Sequence, residues 1–130
     1  MGTTHLLKQA LIAFALLTAL GGAADAAGSF DGVYTGSRTI LRTTNGPCNP
    51  SLTHVSVVVR NNHFDRGWGR IVLSIDVAND GTFRQSGVHY NLHTAGIDYV
   101  ASIKGKIAGG DFEADIGDNY CTVHLSLKKS

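Results

Sequence analysis

Polar and apolar residues alternate through most of this chain with the two-residue period of strands, not the 3.6-residue period of helices. The last run is the cleanest. Cys121, Val123, Leu125 and Leu127 fall on one face, and Thr122, His124 and Ser126 fall on the other. In a second run Ile71, Leu73, Ile75 and Val77 share a face, with Ser74 and Asp76 opposed. A third, over residues 97–107, puts Ile97, Tyr99, Ala101, Ile103 and Ile107 on one side and Asp98, Ser102, Lys104 and Lys106 on the other. Val55, Val57 and Val59 make a fourth.

The runs end at Asn, Asp and Gly, which favour turns. Gly109 and Gly110 suit a two-residue hairpin, because both central positions need positive φ. That register sets Ile107 against Phe112 and Ile103 against Ile116 on the buried face. On the wet face it sets Lys106 against Glu113 and Lys104 against Asp115, and a one-residue slip would break both sets. Asn79, Asp80 and Gly81 read as a three-residue loop with Gly81 left-handed, pairing Val77 with Phe83 and Asp76 with Arg84. Asn61 and Asn62 read as another turn, pairing Val59 with Phe64. Beyond it Val57 would face Arg66, so a bulge near Gly67 is expected.

Phe64, Phe83 and Phe112 occupy the same place in three successive hairpins, a loose internal repeat. Consecutive hairpins predict an all-β fold: an antiparallel meander of about seven or eight strands, one face packed and one wet. Barrel-like closure removes the sheet edges, and a β-sandwich is the alternative that shields them.

The first 26 residues depart from this pattern. Lys8 precedes an apolar run over residues 10–20, Gly21 and Gly22 break it, and Ala24-Asp25-Ala26 supplies a small-x-small cleavage pattern before Ala27. This reads as a cleavable secretory signal peptide, with a single domain at 27–130. Eleven apolar residues fall short of the ~20 that span a bilayer as a helix, so no membrane anchor is expected after cleavage. No cysteine sits at the cleavage site to carry a lipid, and no arginine pair precedes the apolar run. The protein is expected to be exported, to a periplasm or beyond.

Export changes the reading of the only two cysteines, Cys48 and Cys121. In an oxidising compartment such a pair is normally bridged. Free thiols or a redox pair are the alternatives, and the spacing is not C-x-x-C. Closing so long a loop is worth ~4 kcal/mol by chain entropy. The formal net charge of +1 gives no electrostatic case for nucleic acid or an anionic membrane.

The candidate chemistry is sparse. Asp111, Glu113 and Asp115 lie on one strand face about 7 Å apart, a spacing that overlaps paired-carboxylate glycosidases. The hairpin register explains them instead as partners of Lys104 and Lys106. His89 and His93 are four apart; on a strand they would stand about 13 Å from each other, too far for one metal ion. With His54, His63 and His124 they read as surface residues. There is no G-x-S-x-G elbow and no phosphate-binding glycine loop. No catalytic residue, metal site or cofactor is expected.

The segment Arg66-Gly67-Trp68-Gly69-Arg70 holds the only tryptophan, flanked by arginines. Trp and Arg are the types most enriched at binding hot spots. The structural alternative is a core Trp at a strand bend. Arg66, Trp68 and Arg70, with Tyr90 and Tyr99, form the candidate ligand or partner site.

The start, Phe30-Asp31-Gly32-Val33-Tyr34-Thr35-Gly36, the hairpin Asp80-Gly81-Thr82-Phe83 and the cysteine-bearing end from Cys121 to Lys128 resemble a recurring bacterial pattern. It is similar to that of small exported proteobacterial all-β proteins of unknown function. The resemblance spans most of residues 27–130. It implies a periplasmic or secreted location and an all-β fold, and it implies no activity.

The functional expectation is a non-enzymatic binding or interaction domain of the bacterial cell envelope, meeting a protein, glycan or small molecule near Trp68. The rivals are a small hydrolase with a carboxylate or histidine site assembled by the fold, and a structural or stress-related envelope protein.

Overall fold

The computed structural model describes residues 28–44, 48, 50–92 and 97–130, with backbone alone at 90–92, 97 and 98. The proposed signal segment, its cleavage site and His93 lie outside the described residues. Eight strands and no helix are present among these residues: β1 Gly32–Thr43, β2 Leu52–Val59, β3 His63–Trp68, β4 Ile71–Asp76, β5 Thr82–Leu92, β6 Ile97–Ala108, β7 Asp111–Gly117 and β8 Cys121–Lys129. Six make one antiparallel sheet in the order β2-β1-β8-β7-β6-β5, and β3 and β4 form a separate hairpin.

The all-β expectation holds, with eight strands, but the barrel does not close. After the Asn61-Asn62 turn, whose residues both have positive φ, only the Arg60–His63 bridge joins β2 to β3. After Gly81 (φ 87°), Ala78 N donates to Thr82 O, and then β5 leaves β4 to pair with β6. The hairpin is thus fastened at one end and packs as a second layer, the sandwich-like alternative. The expected Val77–Phe83 and Asp76–Arg84 pairs do not form in a ladder. Nor is there a bulge at Gly67, which pairs in regular register with Val72. A two-residue turn at Gly69 and Arg70 lets β3 and β4 match all six of their residues in one unbroken register. The register shifts fall instead at Gly36/Arg38, Ile40/Arg42 and Gln85/Val88.

The β6–β7 hairpin follows the predicted register at each of the four pairs. Gly109 and Gly110 both take positive φ there. The repeated phenylalanines converge. Phe64, Phe83 and Phe112 have ring centroids 5.1–5.3 Å apart, with Tyr34 5.7 Å from Phe112. Such tilted and edge-on pairs add about 0.5–1.5 kcal/mol each beyond their area. Three strands, β3, β5 and β7, each deliver one ring just after a turn to a single aromatic centre, which gives the repeat its physical meaning.

The short motifs prove to be devices of the fold. Both Asp31 carboxylate oxygens accept from backbone N–H groups, those of Asn61 (2.8 Å) and Asn62 (2.9 Å), which holds the β2–β3 turn. These bonds keep the Asp31 carboxyl below its ordinary pKa. Tyr34 is buried and its hydroxyl donates to Phe30 O. Gly36 lies so close to β8 that a Cβ would collide with Ser126 O. Asp80 accepts from the Thr82 N–H and hydroxyl.

Cys48 and Cys121 form a disulfide with Cα atoms 5.6 Å apart, across 73 residues. It ties the β1–β2 connection to the start of β8.

Candidate functional site

Strand alternation carries three polar side chains to the inward face at one end of the sandwich. In β1, Arg38 pairs with fully buried Leu125, so it shares the core face. In β3, Arg66 lies two residues from buried Phe64 and two from half-buried Trp68. In β5, Gln85 pairs with buried Ile103. All three stand on the Cys121 side of the aromatic centre. Partly buried Ile40, Cys48, Trp68, Ile71 and Val88 pack around the core.

Three atoms there are buried without a hydrogen-bond partner among the described residues: Arg38 Nε, Arg66 Nε and Gln85 Oε1. Arg38 has one bond, from Nη2 to Pro50 O at 3.0 Å. Burial first, and then the nearby Arg38 charge, hold the Arg66 guanidinium below its ordinary pKa. It still carries its charge at neutral pH, as arginine does throughout proteins. Two arginine side chains thus take inward positions, one on each layer, at the same end of the sandwich. Buried charges are normally paired, because desolvation is otherwise uncompensated.

Trp68 has a settled role beside them. Its Nε1 donates to Asp118 Oδ2 at 3.0 Å, while Asp118 Oδ1 accepts from the N–H groups of Tyr120 and Cys121. The indole therefore latches the free end of the β3–β4 hairpin to the β7–β8 turn. Tyr99 reaches the same turn, with its ring centroid 5.0 Å from that of Tyr120. Arg66, Trp68 and Tyr99 are thus brought to one end. Arg70 is exposed at the hairpin turn, away from the interior. The Tyr90 side chain lies outside the described residues. Arg38 was missed from sequence although the alternation Tyr34, Gly36, Arg38, Ile40 carries the signal; glycine at 36 hides the period.

The wet faces hold a second arrangement that occurs twice. His124 sits between two carboxylates, with Nδ1 2.6 Å from Asp115 and Nε2 2.6 Å from Glu113, and Ser126 donates to Glu113. His63 sits between Asp76 (2.8 Å, Nδ1) and Asp65 (3.1 Å, Nε2), with Ser74 Oγ 3.0 Å from Nε2. Each is a square of four residues on two paired strands. These bonds, from Asp115 and Asp76 foremost, raise both histidine pKa values. The acidic row does not bond the lysines expected to partner it. Lys104 and Lys106 do lie opposite Asp115 and Glu113 in register. The carboxylates nonetheless turn to the imidazole on the other neighbour, β8, while Lys128 bonds Asp111 at 3.2 Å.

Ser74, His63 and Asp76 are connected in the order of a hydrolase triad. In such a triad Nε2 must be free to take the serine proton. Here Nε2 already faces the Asp65 carboxylate at 3.1 Å, which favours a proton on that nitrogen and so competes with its use as a base. The Asp76 side chain is 92% exposed, so it lacks the buried setting of an orienting carboxylate. The geometry makes a cross-strand clamp.

Comparison of the chain with protein-family models, curated proteins and solved structures finds no match.

Proposed function

We propose that this protein is an exported, non-enzymatic binding domain of the bacterial cell envelope, and that it receives its ligand at the end of the sandwich where Arg66 and Trp68 lie. The observation that carries the reading is Arg66 itself: an inward, half-buried guanidinium whose Nε is buried with no hydrogen-bond partner among the described residues. A stability-driven interior would not keep it, so its retention is read as functional. The segment ending at Ala26 and a disulfide of the kind that persists outside reducing compartments support export. The likeness of the Asp31–Gly36 start to small exported proteobacterial proteins supports the envelope.

Native mass spectrometry of the protein purified from its own host tests this. The expected species begins at Ala27, carries the disulfide and holds a small molecule released on denaturation. An intact 130-residue chain in the cytoplasmic fraction would overturn export. A bare chain, from cells in which the envelope fraction was kept, would overturn the binding reading.

A further inference from the structure

We infer that the interior site takes a small molecule bearing an oxyanion, a carboxylate or phosphate group, held between the guanidinium groups of Arg38 and Arg66. The inference rests on the binding reading above and adds the ligand's chemical class. Three observations converge. First, the two side chains come from different layers, β1 in the sheet and β3 in the hairpin, and both stand on the faces that those layers turn toward each other. Like charges turned toward one partly desolvated space repel, and an anion between them converts repulsion into two attractions. Second, the unpaired atom on each is Nε, the donor that with one Nη forms the side-on fork matching two oxygens of a carboxylate or phosphate. Arg38 spends only Nη2, on Pro50 O, which leaves its Nε unspent. Third, no described carboxylate forms an ion pair with either arginine. The acidic residues of the neighbouring strands are committed elsewhere: Asp31 to the turn at 61–62, Asp65 to His63 and Asp118 to Trp68.

The same positions bound the ligand's size. The aromatic centre beyond the arginines is closely packed, with Phe64, Phe112 and Tyr34 at most 2% exposed. A long acyl tail has no place there, so any apolar body must lie toward half-buried Trp68 and Ile71. The hairpin is fastened at its 61–62 end, and the Trp68–Asp118 bond closes the other.

The test is thermal unfolding of the disulfide-intact protein with benzoate, inorganic phosphate and benzylamine, each titrated separately. Benzoate, phosphate or both should raise Tm by about 5 °C or more at ten times Kd. Benzylamine, of the wrong sign, should not. Arg66→Met should lose at least tenfold in affinity for the anion. Arg66→Lys keeps charge without the fork, so it should fall between, and it guards against a variant that fails to fold. Benzoate alone would assign a carboxylate, and phosphate alone a phosphoryl group. No shift with either anion, an equal shift with benzylamine, or full affinity in both Arg66 variants would overturn the inference. A neutral molecule found bound in the native protein would overturn the oxyanion while leaving the binding reading standing.

Discussion

Replacing Arg66 by methionine should make the unliganded protein more stable. Methionine keeps the unbranched stem, which can lie along the same apolar surface. It removes a guanidinium whose Nε is buried and unpaired, and which faces the charge of Arg38. An unsatisfied buried donor costs about 1–3 kcal/mol. The shape change from arginine to methionine costs at most about 1.5 kcal/mol. The net expectation is a gain of about 1 kcal/mol, or roughly 4–8 °C in Tm for a domain of this size. Arg38→Met should gain less, since it forfeits the bond to Pro50 O. The double variant should gain less than the sum, because the first substitution already relieves the repulsion. Urea unfolding followed by circular dichroism, with unchanged m-values, measures all three. A loss of 1 kcal/mol or more in Arg66→Met would refute the reasoning, since it would show the guanidinium to be favourably placed.

Other features give separate tests. Reducing the Cys48–Cys121 disulfide opens a constraint across 73 residues and should cost about 4.4 kcal/mol by chain entropy; a urea midpoint that barely moves would contradict that. Both clamped histidines have pKa values raised by their carboxylates. Their contribution is therefore complete below the unfolded value of about 6.5 and is lost as pH rises through the folded values. The stability gap between the protein and its His63→Gln/His124→Gln variant should narrow as pH rises above about 6.5, and a gap that widens is the contrary result. Ser74→Ala should leave aryl-ester hydrolysis at the background of a surface imidazole; loss of a measurable rate would reinstate the hydrolase reading. Gly36→Ala forces a methyl against Ser126 O and should destabilise by about 1–3 kcal/mol, read from thermal unfolding.

Local chemistry was legible in the sequence and long-range geometry was not. The β6–β7 hairpin could be read residue by residue, because Gly109 and Gly110 fix the turn and both faces agree on one register. The strand faces of β2, β4 and β8 followed from the same alternation. What failed was partner choice between strands that meet at a turn. The turns at 61–62 and 79–81 exist, yet the strands beyond them part, because β3 finds β4 and β5 finds β6. The acidic row misled in a related way. Register named Lys104 and Lys106, but a strand has two neighbours, and β8 carried His124 into reach. At the candidate site, Arg66 and Trp68 were noticed as residue types. The facing of Arg66 and Arg38 from opposite layers and the Trp68–Asp118 latch depend on two layers meeting, which no local pattern encodes.

The most direct test of the oxyanion site is the ¹H–¹⁵N spectrum of the arginine side chains, recorded while benzoate or phosphate is titrated into the folded protein. The Nε–Hε signals of Arg38 and Arg66 should shift together and saturate with one Kd, while those of Arg42, Arg60, Arg70 and Arg84 stay in place. Shifts spread evenly over all the arginines, or none at Arg38 and Arg66, would contradict the account.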